Sequence, residues 1–117
     1  MVRGALAVGS SGVGRLEVLN QSVVTCEQLE VGGTEPEASG LIIVNDGTLT
    51  TSGNGQVGIA AGTGEILLST ASSILEIGGT MTLGNPDGAA GGGGIAMVDA
   101  TIEGGGSLIV NPNGHLT

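Results

Sequence analysis

The chain has 117 residues, the length of one domain, and 25 of them are glycine without the G-X-Y period of collagen. A hydrophobic fraction of 39% and a positive mean hydropathy exclude a disordered tail, although Phe, Tyr and Trp are absent. A formal net charge of −9 argues against binding to nucleic acid or to an anionic membrane surface.

Short aliphatic strands recur along the chain at nearly constant spacing. Each unit begins with a strand whose last aliphatic residue is Val8, Val31, Val57 or Leu83, at intervals of 23, 26 and 26 residues. A further unit follows 27 residues later, at Val110. This period predicts about four coils of 23–27 residues and the start of a fifth.

Two further strands follow in each predicted coil, after a glycine-rich turn. The second strands are predicted at 16–18, 42–44, 66–68 and 95–97, and the third at 24–26, 49–51, 75–77 and 102–104. Equivalent strands at a fixed period stack as parallel neighbours roughly 4.8 Å apart. No segment shows the three- and four-residue apolar spacing of a helix. The sequence therefore predicts an all-β parallel β-helix, or β-solenoid, with three short strands per coil.

Residues 6–117 are predicted to form the solenoid, and residues 1–5 an N-terminal tail. The last coil is incomplete, and a solenoid needs capping ends because an open cross-section exposes apolar side chains and strand edges. We therefore expect a section of a longer solenoid. The first twelve residues contain no apolar segment of signal-peptide length, so we expect any export signal to lie outside this chain.

Alternation along each strand predicts which side chains point inward. In the segment Leu29-Glu30-Val31, for example, the two aliphatic residues share one face and the carboxylate takes the other. The predicted inward residues are Leu16, Val18, Val24, Leu29, Val31, Ile42, Val44, Leu49, Val57, Ile66, Leu68, Leu75, Ile77, Leu83, Ile95, Met97 and Ile102. Cys26 is the only cysteine, so no internal disulfide can form, and we predict a buried free thiol.

The pattern V-G-x-x-G-x-G-x-L-x-V at residues 8–18 and N-D-G-T-L-T at 45–50 resembles repeats in the passenger domains of bacterial autotransporters. It is similar also to other Gly-rich, repetitive surface proteins of Gram-negative bacteria. The resemblance covers residues 6–117 and implies a right-handed β-helix, secreted or displayed at the bacterial outer-membrane surface. The expected role is that of a non-enzymatic structural section, acting as a stalk, spacer or adhesin-like passenger.

No catalytic, cofactor or metal site is predicted. Glycoside cleavage needs two carboxylates roughly 5–9.5 Å apart, whereas Asp46 and Asp99 fall in equivalent turns two coils apart. His115 has no His or Cys at ligand spacing and is expected in an exposed turn. The turns at 45–47 and 85–88 offer oxygen ligands that would suit calcium, although Asp-Gly is ordinary turn chemistry.

Two alternative functions stay open on the sequence. One is a fragment of a carbohydrate-active β-helix whose carboxylate cluster lies in neighbouring coils. The other is an ice-binding solenoid, which requires a ladder of Thr-x-Thr on successive coils. The pair Thr48 and Thr50 supplies both threonines, but the equivalent outward pairs in the other coils do not.

One set of outward positions departs from the polar exterior. On successive second strands these positions are Glu17, Ile43, Leu67 and Ala96. Contiguous exposed apolar residues mark contact surfaces. We therefore predict that Ile43, Leu67 and Ala96 form a contact stripe, for a surface ligand or for self-association. The other expected partners are adjacent coils of the same parent chain, and no membrane insertion is expected in this segment.

Overall fold

The computed structural model describes residues 2–59, 61–85, 92–97 and 100–117, and all of its regular elements are strands. In chain order they are β1 (Val2–Val8), β2 (Val13–Leu19), β3 (Val23–Val31), β4 (Ser39–Asn45), β5 (Thr48–Thr51), β6 (Gly55–Val57), β7 (Thr63–Leu68), β8 (Ile74–Ile77), β9 (Thr80–Leu83), β10 (Gly92–Met97), β11 (Thr101–Glu103), β12 (Ser107–Val110) and β13 (Gly114–Leu116). Within these ranges there is no helix of the length and apolarity that a membrane span requires.

The strands form three parallel stacks, which are the three faces of a solenoid. Face 1 contains β1, the second half of β3, β6, β9 and β12. Face 2 contains β2, β4, β7, β10 and β13. Face 3 contains the first half of β3, β5, β8 and β11. The predicted parallel β-solenoid of about four coils with three strands each is confirmed.

A column of aliphatic side chains fills the inside of the coils. Because equivalent residues lie in register, each inward side chain packs on its counterpart in the next coil, as Ile42 does on Ile66 and Ile66 on Ile95. Most of the predicted inward residues are buried. Leu16, Val24, Met97 and Ile102 are only partly buried against this core. Each has an in-register neighbour on one side only, a position at which Val18 is nevertheless buried.

The core also contains residues that are not in the predicted inward set. Val8, Ala38 and Met81 are buried, and so are the polar residues Thr51 and Ser73. Cys26 is a buried free thiol, as predicted.

The glycine that ends each face 1 strand marks the corner where the chain turns towards face 2. Gly9, Gly32, Gly58 and Gly84 all have positive φ, between 63° and 85°. A Cβ on Gly32 would lie 2.2 Å from the carbonyl oxygen of Thr63 in the next coil. The repeated Val-Gly sequence therefore marks corners at which two coils come into close contact. A side chain on the glycine would block that contact.

The first strand begins earlier than the sequence indicated. β1 starts at Val2 and pairs with β3, with Val2 opposite Cys26 and Ala5 opposite Gln28. Residues 2–5, predicted as a tail, thus belong to a strand: Ala5 lies on face 1, and Val2 lies beside the face 3 half of β3. The pairing extends further than the aliphatic segment that starts at Leu6, because the edge of β3 also offers backbone groups at Cys26 and Gln28.

Candidate interaction face

Alternate residues of each face 2 strand point away from the core and form three long outward columns, beside a short one of Leu19 and Asn45. The strand register aligns these columns over four or five coils. The first column is Val13, Ser39, Thr63 and Gly92; the second is Arg15, Leu41, Glu65, Gly94 and His115; the third is Glu17, Ile43, Leu67 and Ala96.

The third column contains the contact stripe predicted from the sequence. Ile43 lies opposite Leu67, and Leu67 opposite Ala96. Each of the three is half-buried, since neighbouring outward side chains cover part of it. Leu41, also half-buried, lies two residues before Ile43 on the same face. We call Leu41, Ile43, Leu67 and Ala96 the apolar patch. The structure brings the stripe together as one surface, and its role in binding stays a prediction.

One ion pair and one histidine–carboxylate contact flank the apolar patch. Arg15 Nη2 lies 3.1 Å from Glu17 Oε1 within β2, with the two side chains 58% and 46% exposed. On the far side, His115 Nε2 lies 3.1 Å from Glu65 Oε2, with exposures of 49% and 33%. Both pairs are therefore open to solvent and free to exchange partners.

The His115–Glu65 pair spans two coils and depends on a glycine between them. His115 lies on β13 opposite Gly94, which lies opposite Glu65. A Cβ on Gly94 would be 2.5 Å from the imidazole Nε2, so the ring reaches Glu65 across a position without a side chain. His115 was predicted in an exposed turn, but it lies on the strand β13. Its partner Glu65 is 50 residues away in the chain. The signal that could have identified this partner is the alignment of β13 with β10 and β7 across coils, which alternation within one strand does not give.

A groove of about 470 Å³ runs along the first two columns. Its floor is the backbone of Gly40, Gly64 and Gly93, and its walls include Ser39, Thr63, Glu65, Asn113 and His115. In the fourth coil the outward positions of these two columns are Gly92 and Gly94. The side chains of Asn113 and His115 from the next coil lie over them, because a Cβ would be 3.5 Å from the Asn113 amide nitrogen at Gly92 and 2.5 Å from the imidazole Nε2 at Gly94.

The electrostatics of face 2 differ from those of the rest of the described chain. Glu17 and Glu65 are the only acidic residues on its described strands, and each is paired with a basic side chain. The other described acids lie in turns or on faces 1 and 3: Glu27, Glu30, Glu35, Glu37, Asp46, Glu76 and Glu103. Face 2 is therefore nearly balanced in a chain whose net charge is −9.

The remaining candidates from the sequence do not assemble into a site in the described residues. On face 3, Thr50 Oγ1 donates to Glu76 Oε1 at 3.0 Å, and Glu76 lies opposite Glu103. The column of outward threonines therefore ends at Thr50, because Glu76 and Glu103 occupy the equivalent positions in the next two coils, as the sequence indicated. No group of three or more His, Cys, Asp or Glu side chains gathers there or elsewhere in the described ranges.

Of the two turns that would suit calcium, the one at 45–47 lies entirely within the described residues. In the first, the backbone N–H of Asp46 donates to Thr70 Oγ1 at 3.1 Å and to Ser73 Oγ at 3.2 Å. The turn at 85–88 lies outside the described residues except for Asn85, and so does Asp99. Hydroxyl groups of the next coil thus hold the Asp46 turn in place.

Comparison of the chain with protein-family models, with curated protein sequences and with solved structures finds no match in any of the three. Its function must therefore be inferred from the fold and from the chemistry of its faces.

Proposed function

We propose that this chain is a structural section of a secreted or cell-surface β-solenoid, a non-enzymatic stalk, spacer or adhesin-like passenger. The observation that carries the proposal is the repetition of one aliphatic core from coil to coil. Ile42, Ile66 and Ile95 occupy the same inward position on successive strands of face 2, and Val31, Val57 and Leu83 do so on face 1.

With such a core, the length of the solenoid increases by the same amount for every coil that is added. Each coil contributes one strand layer, about 4.8 Å of axial length, whichever coil precedes it. The outward positions vary freely, because no core contact constrains them. A repetitive solenoid therefore supports a surface at a set distance while its outer columns change, which is what a spacer or a displayed contact surface requires.

Display on cells tests the proposal. The chain is fused between an outer-membrane anchor and an epitope tag in a Gram-negative bacterium, with the Gly32→Ala variant as the misfolding control and Gly12→Ala as the matched, tolerated control. We expect antibody to label intact cells with the natural chain and with Gly12→Ala, and labelling to fall with Gly32→Ala. An epitope that stays hidden or is degraded, although the purified natural chain is folded, would contradict a display role.

The length argument has its own measurement. Duplicating residues 32–57, one complete coil, keeps every strand in register, because Val31 lies opposite Val57. We expect the purified protein with one and two extra coils to unfold in a single transition and to lengthen by about 5 Å per coil in small-angle scattering.

A second candidate, a carbohydrate-active β-helix, is favoured by the groove whose wall contains the Glu65 carboxylate and the His115 imidazole. Incubation with a panel of polysaccharides, using Glu65→Gln and His115→Ala as controls, distinguishes the two roles. Depolymerisation that both variants abolish would favour the second candidate, and an unchanged polysaccharide would favour the first.

A further inference from the structure

We draw no further inference here: the strongest candidate, the half-buried apolar patch of Leu41, Ile43, Leu67 and Ala96 on face 2, carries none because nothing in the described residues shows what covers it.

Discussion

The side chain of Met81 occupies the space that a side chain on Gly55 would need. The two residues lie opposite one another on face 1, and a Cβ on Gly55 would be 2.5 Å from Met81 Sδ and 2.6 Å from its Cε. Met81 is fully buried. A long flexible residue in one coil thus fills the vacancy left by glycine in the coil before it, and the two positions are coupled.

This coupling predicts a non-additive pair of substitutions. Gly55→Ala should lower the free energy of unfolding by about 1–2 kcal/mol, because the new methyl group overfills a packed core. Met81→Val alone should cost about 1–3 kcal/mol through the cavity it leaves. Urea denaturation of the two single variants and the double variant measures the coupling.

The double variant should lose about 1 kcal/mol less than the sum of the single losses, since valine vacates the space that alanine enters. Simple additivity would show that Met81 moves away at no cost, and that the two sites are independent.

Much of the solenoid follows from the sequence because its determinants are local. Alternation within a strand identifies Leu29 and Val31 as inward, and the Val-Gly period identifies the coils. Contacts between side chains of different coils are harder to predict from the sequence. Coil lengths vary, so that Ile43 and Leu67 are 24 residues apart while Leu67 and Ala96 are 29. Strand patterns align these columns, but they do not reveal that a side chain such as His115 reaches two coils away.

Corner glycines are a second source of stability. Gly32 has a φ of +80°, and its Cβ would lie 2.2 Å from the carbonyl oxygen of Thr63. Because both atoms in this contact are held by the backbone, Gly32→Ala should destabilise the fold by more than about 3 kcal/mol or prevent folding.

Gly12 is the matched control, since a Cβ there would meet no atom within 4 Å and its φ is not in the left-handed region. Gly12→Ala should be neutral or stabilise by up to about 1 kcal/mol, by reducing the entropy of the unfolded chain. Thermal unfolding followed by circular dichroism compares the two. Equal melting temperatures for both variants would remove the corner contact as an explanation of the repeated glycine.

Ser73 links two coils through a buried hydroxyl. Its Oγ donates to the carbonyl of Val44 at 2.7 Å and accepts from the backbone N–H of Asp46 at 3.2 Å. Asp46 has a positive φ of 59°, which these bonds help to hold. Ser73→Ala should therefore cost about 0.5–1.5 kcal/mol, the usual net value of a lost hydrogen bond, because the Val44 carbonyl keeps the backbone N–H of Ser69 and the Asp46 N–H keeps Thr70 Oγ1.

The neighbouring Ser72 is exposed, so Ser72→Ala should change the free energy of unfolding by less than about 0.5 kcal/mol. Chemical denaturation of both variants provides the comparison. A Ser73→Ala variant as stable as Ser72→Ala would mean that water replaces the hydroxyl without penalty. Alternation along the chain does not reveal this residue, because a serine in a turn has no feature that marks it as buried.

Cys26 makes the stability of the fold depend on pH at the alkaline end. Burial raises the pKa of its thiol above the ordinary value, and the hydrogen bond with Thr51 lowers it by a smaller amount. The folded state therefore resists forming the thiolate, whereas the unfolded chain ionises near pH 8.5. The resulting contribution is fully present below about pH 8.5 and is lost as the pH rises towards the folded-state pKa.

We accordingly expect the urea concentration at the midpoint of unfolding to decrease in the natural chain as the pH rises above about 8.5, and to decrease less in Cys26→Ala, which has no thiol to ionise. A thiol reagent gives an independent measurement. Labelling of the folded chain at pH 8 should be slow and should accelerate on addition of urea, because the buried sulfur reacts only when the coils open. Rapid labelling of the folded chain, together with identical pH profiles for the two proteins, would place Cys26 in contact with solvent.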